Sequence, residues 1–152
     1  MNAGTFKLEY NIELILTDHN TGEILDRSEI KNAIVNTGLE RVAKLLNGVS
    51  STYMRAIAIG TGNTAVTNSD TELDVEVTRE LATLTYESDY KAKFSKLLTF
   101  GSGESYTIKE VGIFDSAVLT GSVMFNRALD AGKAVDSDTD LTVNVTVTCS
   151  RA

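Results

Sequence analysis

The 152-residue chain contains no proline and no tryptophan, and only one cysteine and one histidine. Each shortage closes off a chemistry. A lone Cys149 makes no internal disulfide, and without a Cys/His cluster there is nothing to hold zinc or an iron–sulfur centre. A lone His19, in a predicted hairpin loop, leaves nucleophilic catalysis without a base beside its nucleophile. Cys149 therefore reads as a small inward residue of the last strand. The lack of tryptophan removes the usual platform of a sugar-cleaving site, although a carboxylate pair assembled from distant strands stays open. These shortages predict a protein that is not an enzyme and carries no cofactor. No apolar run approaches the roughly 20 residues of a membrane span. The start, Met1 to Glu9, lacks the basic-then-apolar pattern of a secretion signal, so synthesis in a cytoplasm is expected.

What is present fits one globular domain. Hydrophobic residues make up 42% and charged residues 23%, and a chain of this length buries roughly two-thirds of its unfolded surface. The net charge of −7 and the scatter of Lys and Arg argue against nucleic acid, which requires clustered cations. Even the densest stretch, Lys91-Ala-Lys93-Phe-Ser-Lys96, alternates with other residues as an exposed strand face does.

Apolar residues recur at every second position from Phe6 to Leu16, the mark of a strand with one buried face. Asp18-His-Asn-Thr-Gly22 then reads as a hairpin turn leading back through Glu23 to Ile30. Calcium on Asp18, Asn20 and Glu23 is the weaker reading, because a terminal bidentate Glu is missing. Leu39, Val42, Ala43 and Leu46 share one face of a helix over about 38–46, with Thr37 and Glu40 spaced as a capping box and Asn47-Gly48 as the stop. This helix is expected to close one end of the fold. Beyond Ser50 the pattern is strand after strand: 55–59, 72–86, 90–100, 106–114, 118–129 and 141–149. With proline absent, Gly, Asn, Asp and Ser must make the turns. The sum is a mainly β protein, a jelly-roll-like antiparallel β-sandwich of about eight strands with one short helix near residues 38–46. Residues 1–5 are expected to form a flexible N-terminal arm and residues 6–152 a single sandwich domain.

Two stretches interrupt the strand pattern. In Ile57-Ala-Ile-Gly60-Thr-Gly62 an apolar run stops at two glycines, and the spacing through Ala65 matches a dinucleotide-binding turn. That motif needs a helix behind it, and Val66 to Thr71 has no helical period, so a structural turn is the better reading. In Ile108-Lys-Glu110-Val-Gly112-Ile-Phe114 a carboxylate sits inside an apolar strand. Arg79 and Arg127 lie in similar surroundings. Either one of these arginines pairs with Glu110 in a bidentate bond, or all three face solvent on opposite pleats. Gly60, Gly62, Arg79, Glu110, Gly112 and Arg127 are thus candidate structural residues, with no catalytic, cofactor or metal residue assigned. Asp136, Asp138 and Asp140 read as a solvated turn, with a bound cation as the minority alternative.

The order of Asn32-Ala-Ile-Val-Asn-Thr-Gly38, Ile57-Ala-Ile-Gly-Thr-Gly62, Thr71-Glu-Leu73 with Arg79, Ile108 to Phe114, and Arg127 before a Thr/Val strand resembles small structural proteins of tailed-bacteriophage virions. The resemblance spans roughly residues 30–149. It implies a jelly-roll-like decoration or cement protein that binds and stabilises an assembled capsid. The implied partner is the major capsid protein, the implied oligomer a trimer, and the implied location the virion after synthesis in a bacterial host cytoplasm. A tail-associated structural or adaptor protein, with tail proteins as partners, is the first alternative. A carbohydrate-binding adhesion module using Tyr53, Tyr86, Tyr90 and Tyr106 is the second. The family supplies no catalytic residues, and nucleic acid and membrane are not among its implied partners.

Overall fold

The computed structural model describes residues 4–31 and 34–152. In chain order the elements are β1 (Phe6–Asp18), β2 (Ile24–Lys31), α1 (Asn36–Leu46), β3 (Ala56–Gly60), β4 (Glu76–Leu81), β5 (Thr83–Glu87), β6 (Lys91–Thr99), β7 (Tyr106–Phe114), β8 (Met124–Val135) and β9 (Thr139–Arg151). They form two antiparallel sheets, one ordered β2-β1-β9-β6-β5 and the other β4-β3-β7-β8. Among the described residues the mainly β sandwich with one short helix is as expected, with nine strands rather than about eight.

The extra strand arises at Ala82. Residues 72–86 read as one Thr- and Val-rich strand, but the chain leaves one sheet after Leu81, pairs with Ala56 up to that point, and joins the other sheet at Thr83 opposite Ser95. The Ala82 N–H donates to the Arg55 carbonyl at the crossing. The strand expected over 118–129 also moves: residues 115–123 form a loop and β8 begins at Met124. Here Asp115 takes over the backbone pairing, its carboxylate accepting from the Val123 N–H at 2.8 Å and its own N–H donating to the Val123 carbonyl.

The alternation in β1 and β9 works as read. The two strands pair along their whole length, from Phe6 opposite Arg151 to Asp18 opposite Thr139. Tyr10, Ile12, Leu14 and Leu16 line up beside Val147, Val145, Val143 and Leu141, all facing Ile57, Ile59, Val111 and Ile113 of the other sheet in one core. Phe6 does not join them. It is 58% exposed, because β1 and β9 run past the end of the shorter sheet.

The second sheet is buried on both faces, which explains why β3 is an unbroken apolar run. Ile57 and Ile59 point to the main core, while Ala56 and Ala58 pack outward with Val35, Leu73, Phe114 and Met124 in a smaller core. The small side chains let the β3–β4 connection, residues 61–75, lie close over this face.

Helix α1 starts two residues before the expected position, and its capping box is absent. Val35 is the N-cap without a side-chain bond, and the Thr37 hydroxyl instead donates to the Met124 carbonyl at 2.7 Å. Gly38 explains the docking: a Cβ there would come within 2.7 Å of the Ile34 side chain and 2.9 Å of the Phe125 Cα. Gly48, at φ +75°, ends the helix as expected. The Thr5 carbonyl accepts from the Ala152 N–H at 2.7 Å. Residues 1–3 of the expected arm, and Asn32 and Ala33, lie outside the described residues.

Candidate functional site

Gly60, Arg79, Glu110, Gly112 and Arg127 lie on the outward face of the β4-β3-β7-β8 sheet, and Gly62 lies just past β3 in the connection over it. Glu110 is 0% exposed, and four donors saturate its carboxylate. Oε1 accepts from the Gly62 N–H at 3.0 Å and the Val75 N–H at 2.7 Å; Oε2 accepts from the Asp74 N–H at 2.9 Å and Arg127 Nε at 2.8 Å. Three of these donors are backbone groups at the two ends of the 61–75 connection. A carboxylate inside the strand thus substitutes for the partners that this irregular segment would otherwise lack.

Arg127 is the arginine that pairs with Glu110. The contact is a single Nε bond rather than the expected bidentate fork. Its other nitrogens reach further into the connection, to Asp70 Oδ2 at 3.0 Å and Thr64 Oγ1 at 3.1 Å. Burial disfavours the Arg127 cation, but its bonds to Asp70 and Glu110 outweigh this and hold it above its ordinary value. Burial likewise opposes ionisation of Asp70. The Thr67 side-chain and backbone bonds, followed by Arg127, more than offset it and hold the carboxyl below its ordinary value.

The glycines supply the clearance. A Cβ on Gly60 or on Gly62 would lie 2.5 Å from Glu110 Oε1, and one on Gly112 would meet Leu73 and the Asn126 carbonyl at 3.0 Å. Arg79 is on the same face but does not touch Glu110. Its guanidinium lies 3.5 Å from the centre of the Phe114 ring, pairs with Glu76 at 2.9 Å, and reaches Ser122 and the Val118 carbonyl in the β7–β8 loop. The two arginines therefore fasten different loops over one sheet face. The solvent-facing alternative holds for none of the three charged residues.

Two further buried ion pairs carry no comparable signal in the sequence. Lys133 bonds to Asp130 at 2.9 Å and to Asp26 at 3.2 Å, and the Ser28 hydroxyl donates to Asp130, so these groups tie β2 to β8. Arg41 of α1 bonds Asp115 at 2.7 Å, and Arg55 Nε donates to the Asp115 carbonyl at 2.8 Å. Apart from the local Asp130–Lys133 bond, both networks join residues 60 or more positions apart.

The acidic turns serve themselves. Asp18 Oδ1 accepts from the Asn20 and Thr21 N–H groups, and Asp136 Oδ1 from the Asp138 N–H. Asp140 bonds His19 Nδ1 at 2.9 Å, which raises the imidazole's pKa. Among the described residues no group of three or more His, Cys, Asp or Glu side chains is arranged to hold a metal ion. The Gly60–Ala65 turn leads into the irregular connection rather than a helix, so it presents no helix N-terminus to a phosphate. Cys149 is free and half-buried, in a cleft it shares with Phe6 and Tyr90.

The surface holds a different kind of site. Only part of the apolar stripe of α1 packs on the sandwich: Val42 lies against the main core, whereas Leu46 is 80% exposed and Leu39 and Leu45 are exposed too. Leu39, Val42, Ala43 and Leu46 line one wall of a cleft of about 340 Å³, with Phe6, Leu8 and Ile34 on the other side. The overhang of β1 that exposes Phe6 makes this cleft.

These features define a mainly β antiparallel sandwich with a saturated internal charge network and an open apolar face. The chain matches no protein-family model, no curated protein and no solved structure.

Proposed function

We propose that this protein is a non-enzymatic structural component of a bacteriophage virion, a decoration or cement protein that docks on the assembled capsid and stabilises it. The observation that carries the reading is the apolar face of α1 with Phe6 and Leu8. Contiguous exposed apolar surface of this kind marks a site of protein–protein contact. The buried charges of the sandwich serve as struts between loops and sheet, which suits a rigid module more than a reactive one. The partner is the major capsid protein, and a repeating lattice multiplies modest contacts of this size through avidity.

The test is add-back to capsids stripped of the protein. L39K/L46K changes exposed positions, so the variant keeps its thermal unfolding temperature, fails to bind the particles and fails to restore their heat resistance. Wild-type binding by that variant would sink the proposal. Immunogold labelling of virions separates the head location from the tail-associated alternative. Exposed Tyr86 and Tyr90 keep the carbohydrate-binding reading in play, and a silent glycan array would remove it.

A further inference from the structure

We propose that β5 is a self-association edge, through which two copies of this chain pair antiparallel about a two-fold axis and merge their five-stranded sheets into one. The four free sheet edges are not alike. β8 is capped at its start by the Ile34 bridge to Asn126 and the Val35 N–H bond to the Phe125 carbonyl. β2 carries Asp26, Arg27, Glu29 and Lys31, and β4 carries Glu80, its side chain 42% exposed. Charges along an edge are the usual guard against strand addition. β5, Thr83-Leu-Thr-Tyr-Glu87, has a single charge at its end, no proline and no bulge in its register with β6. All five of its residues are exposed.

Its sequence is complementary to itself. Pairing centred on Thr85 sets Thr85 against Thr85 of the partner subunit, Leu84 against Tyr86 of the partner subunit, and Thr83 against Glu87 of the partner subunit. Aromatic–aliphatic and Thr–Thr pairs both favour antiparallel strands, and no like charges meet. The apolar pair is available in the single chain: Tyr86 is 75% exposed and Leu84 40% exposed. Leu84 lies opposite core Phe94 and so faces the sandwich interior, but at the sheet's margin, where the other sheet covers β5 only in part. A second copy would extend that cover. The inference is independent of the virion reading, and it replaces the implied three-fold association with a two-fold one.

Sedimentation velocity over about 10–500 µM suits the small contact a five-residue edge makes. Wild type shifts from monomer to dimer mass across this range. L84K/Y86K, which opposes lysines in each cross-strand pair, stays monomeric, and L84K/Y86E, which sets opposite charges in the same register, associates again. In a C149S background, T85C forms an intermolecular disulfide on mild oxidation and T83C does not, which reads the register even if a lysine variant fails to fold. A wild type that stays monomeric or reaches trimer mass would overturn the proposal. So would undiminished association of L84K/Y86K, or cross-linking as strong at position 83 as at 85.

Discussion

Replacing Arg127 by Met isolates the energetic role of the buried pair. The change keeps an unbranched side chain of similar length but removes the cation beside Glu110, a carboxylate with no solvent exposure. Glu110 retains the N–H groups of Gly62, Asp74 and Val75, while Asp70 and Thr64 each lose a bond to Arg127. Breaking a buried ion pair from one side costs about 3–5 kcal/mol. At about 2–4 °C per kcal/mol for a chain of this size, unfolding moves down by roughly 6–20 °C. E110L is expected to cost at least as much, because it leaves three backbone donors without an acceptor at about 1–3 kcal/mol each. Adding R127M to E110L should cost less than R127M alone, because the bond to Glu110 is already gone. Urea unfolding followed by circular dichroism gives all three values. A loss below about 1 kcal/mol for R127M, or an E110L variant more stable than R127M, would refute the view that Glu110 is the node holding the 61–75 connection to the sheet.

Three other outcomes follow from the same geometry. G62A drives a methyl group toward Glu110 Oε1 and Asp74, so thermal unfolding should fall by several degrees, whereas alanine at Gly4, with open space around it, changes nothing. Burial opposes ionisation of Asp130, but Ser28, the Gly132 N–H and Lys133 hold its carboxyl below the ordinary value. Its stabilisation is therefore present above the unfolded aspartate value, near pH 4, and lost as pH falls through the folded one. Stability curves for D130N should show a weaker acid dependence than wild type. His19 has the opposite sign: Asp140 raises its pKa, so its contribution is full below about pH 6.5 and disappears as pH rises through the folded value. H19N should remove that slope, and an unchanged slope would assign it to other groups.

Much of the site was legible because it broke a local rule. Glu110 stands out within Ile108 to Phe114, and Gly60 and Gly62 end a strand with no hairpin turn behind them. The choice of partner was not legible. Arg79 and Arg127 occupy equivalent sequence settings, and only the register decides between them: Arg79 sits opposite Ala58, in reach of Phe114, while Arg127 sits opposite Gly112, in reach of Glu110. Thr37 and Glu40 had capping-box spacing, yet the Met124 carbonyl won the hydroxyl because Gly38 holds the helix against β8.

The sequence by itself determined the strands with one buried face, the single helix and the turns, because period-2 alternation, helical spacing and glycine chemistry are local properties. Only the tertiary structure decided which faces stay open. Phe6 continues the alternation of β1 and Leu46 the stripe of α1, and both would read as core. They are exposed because one sheet outruns the other and the helix docks through Gly38, leaving its leucines outward. Burial depends on what another segment covers, and no local pattern encodes how far that segment reaches.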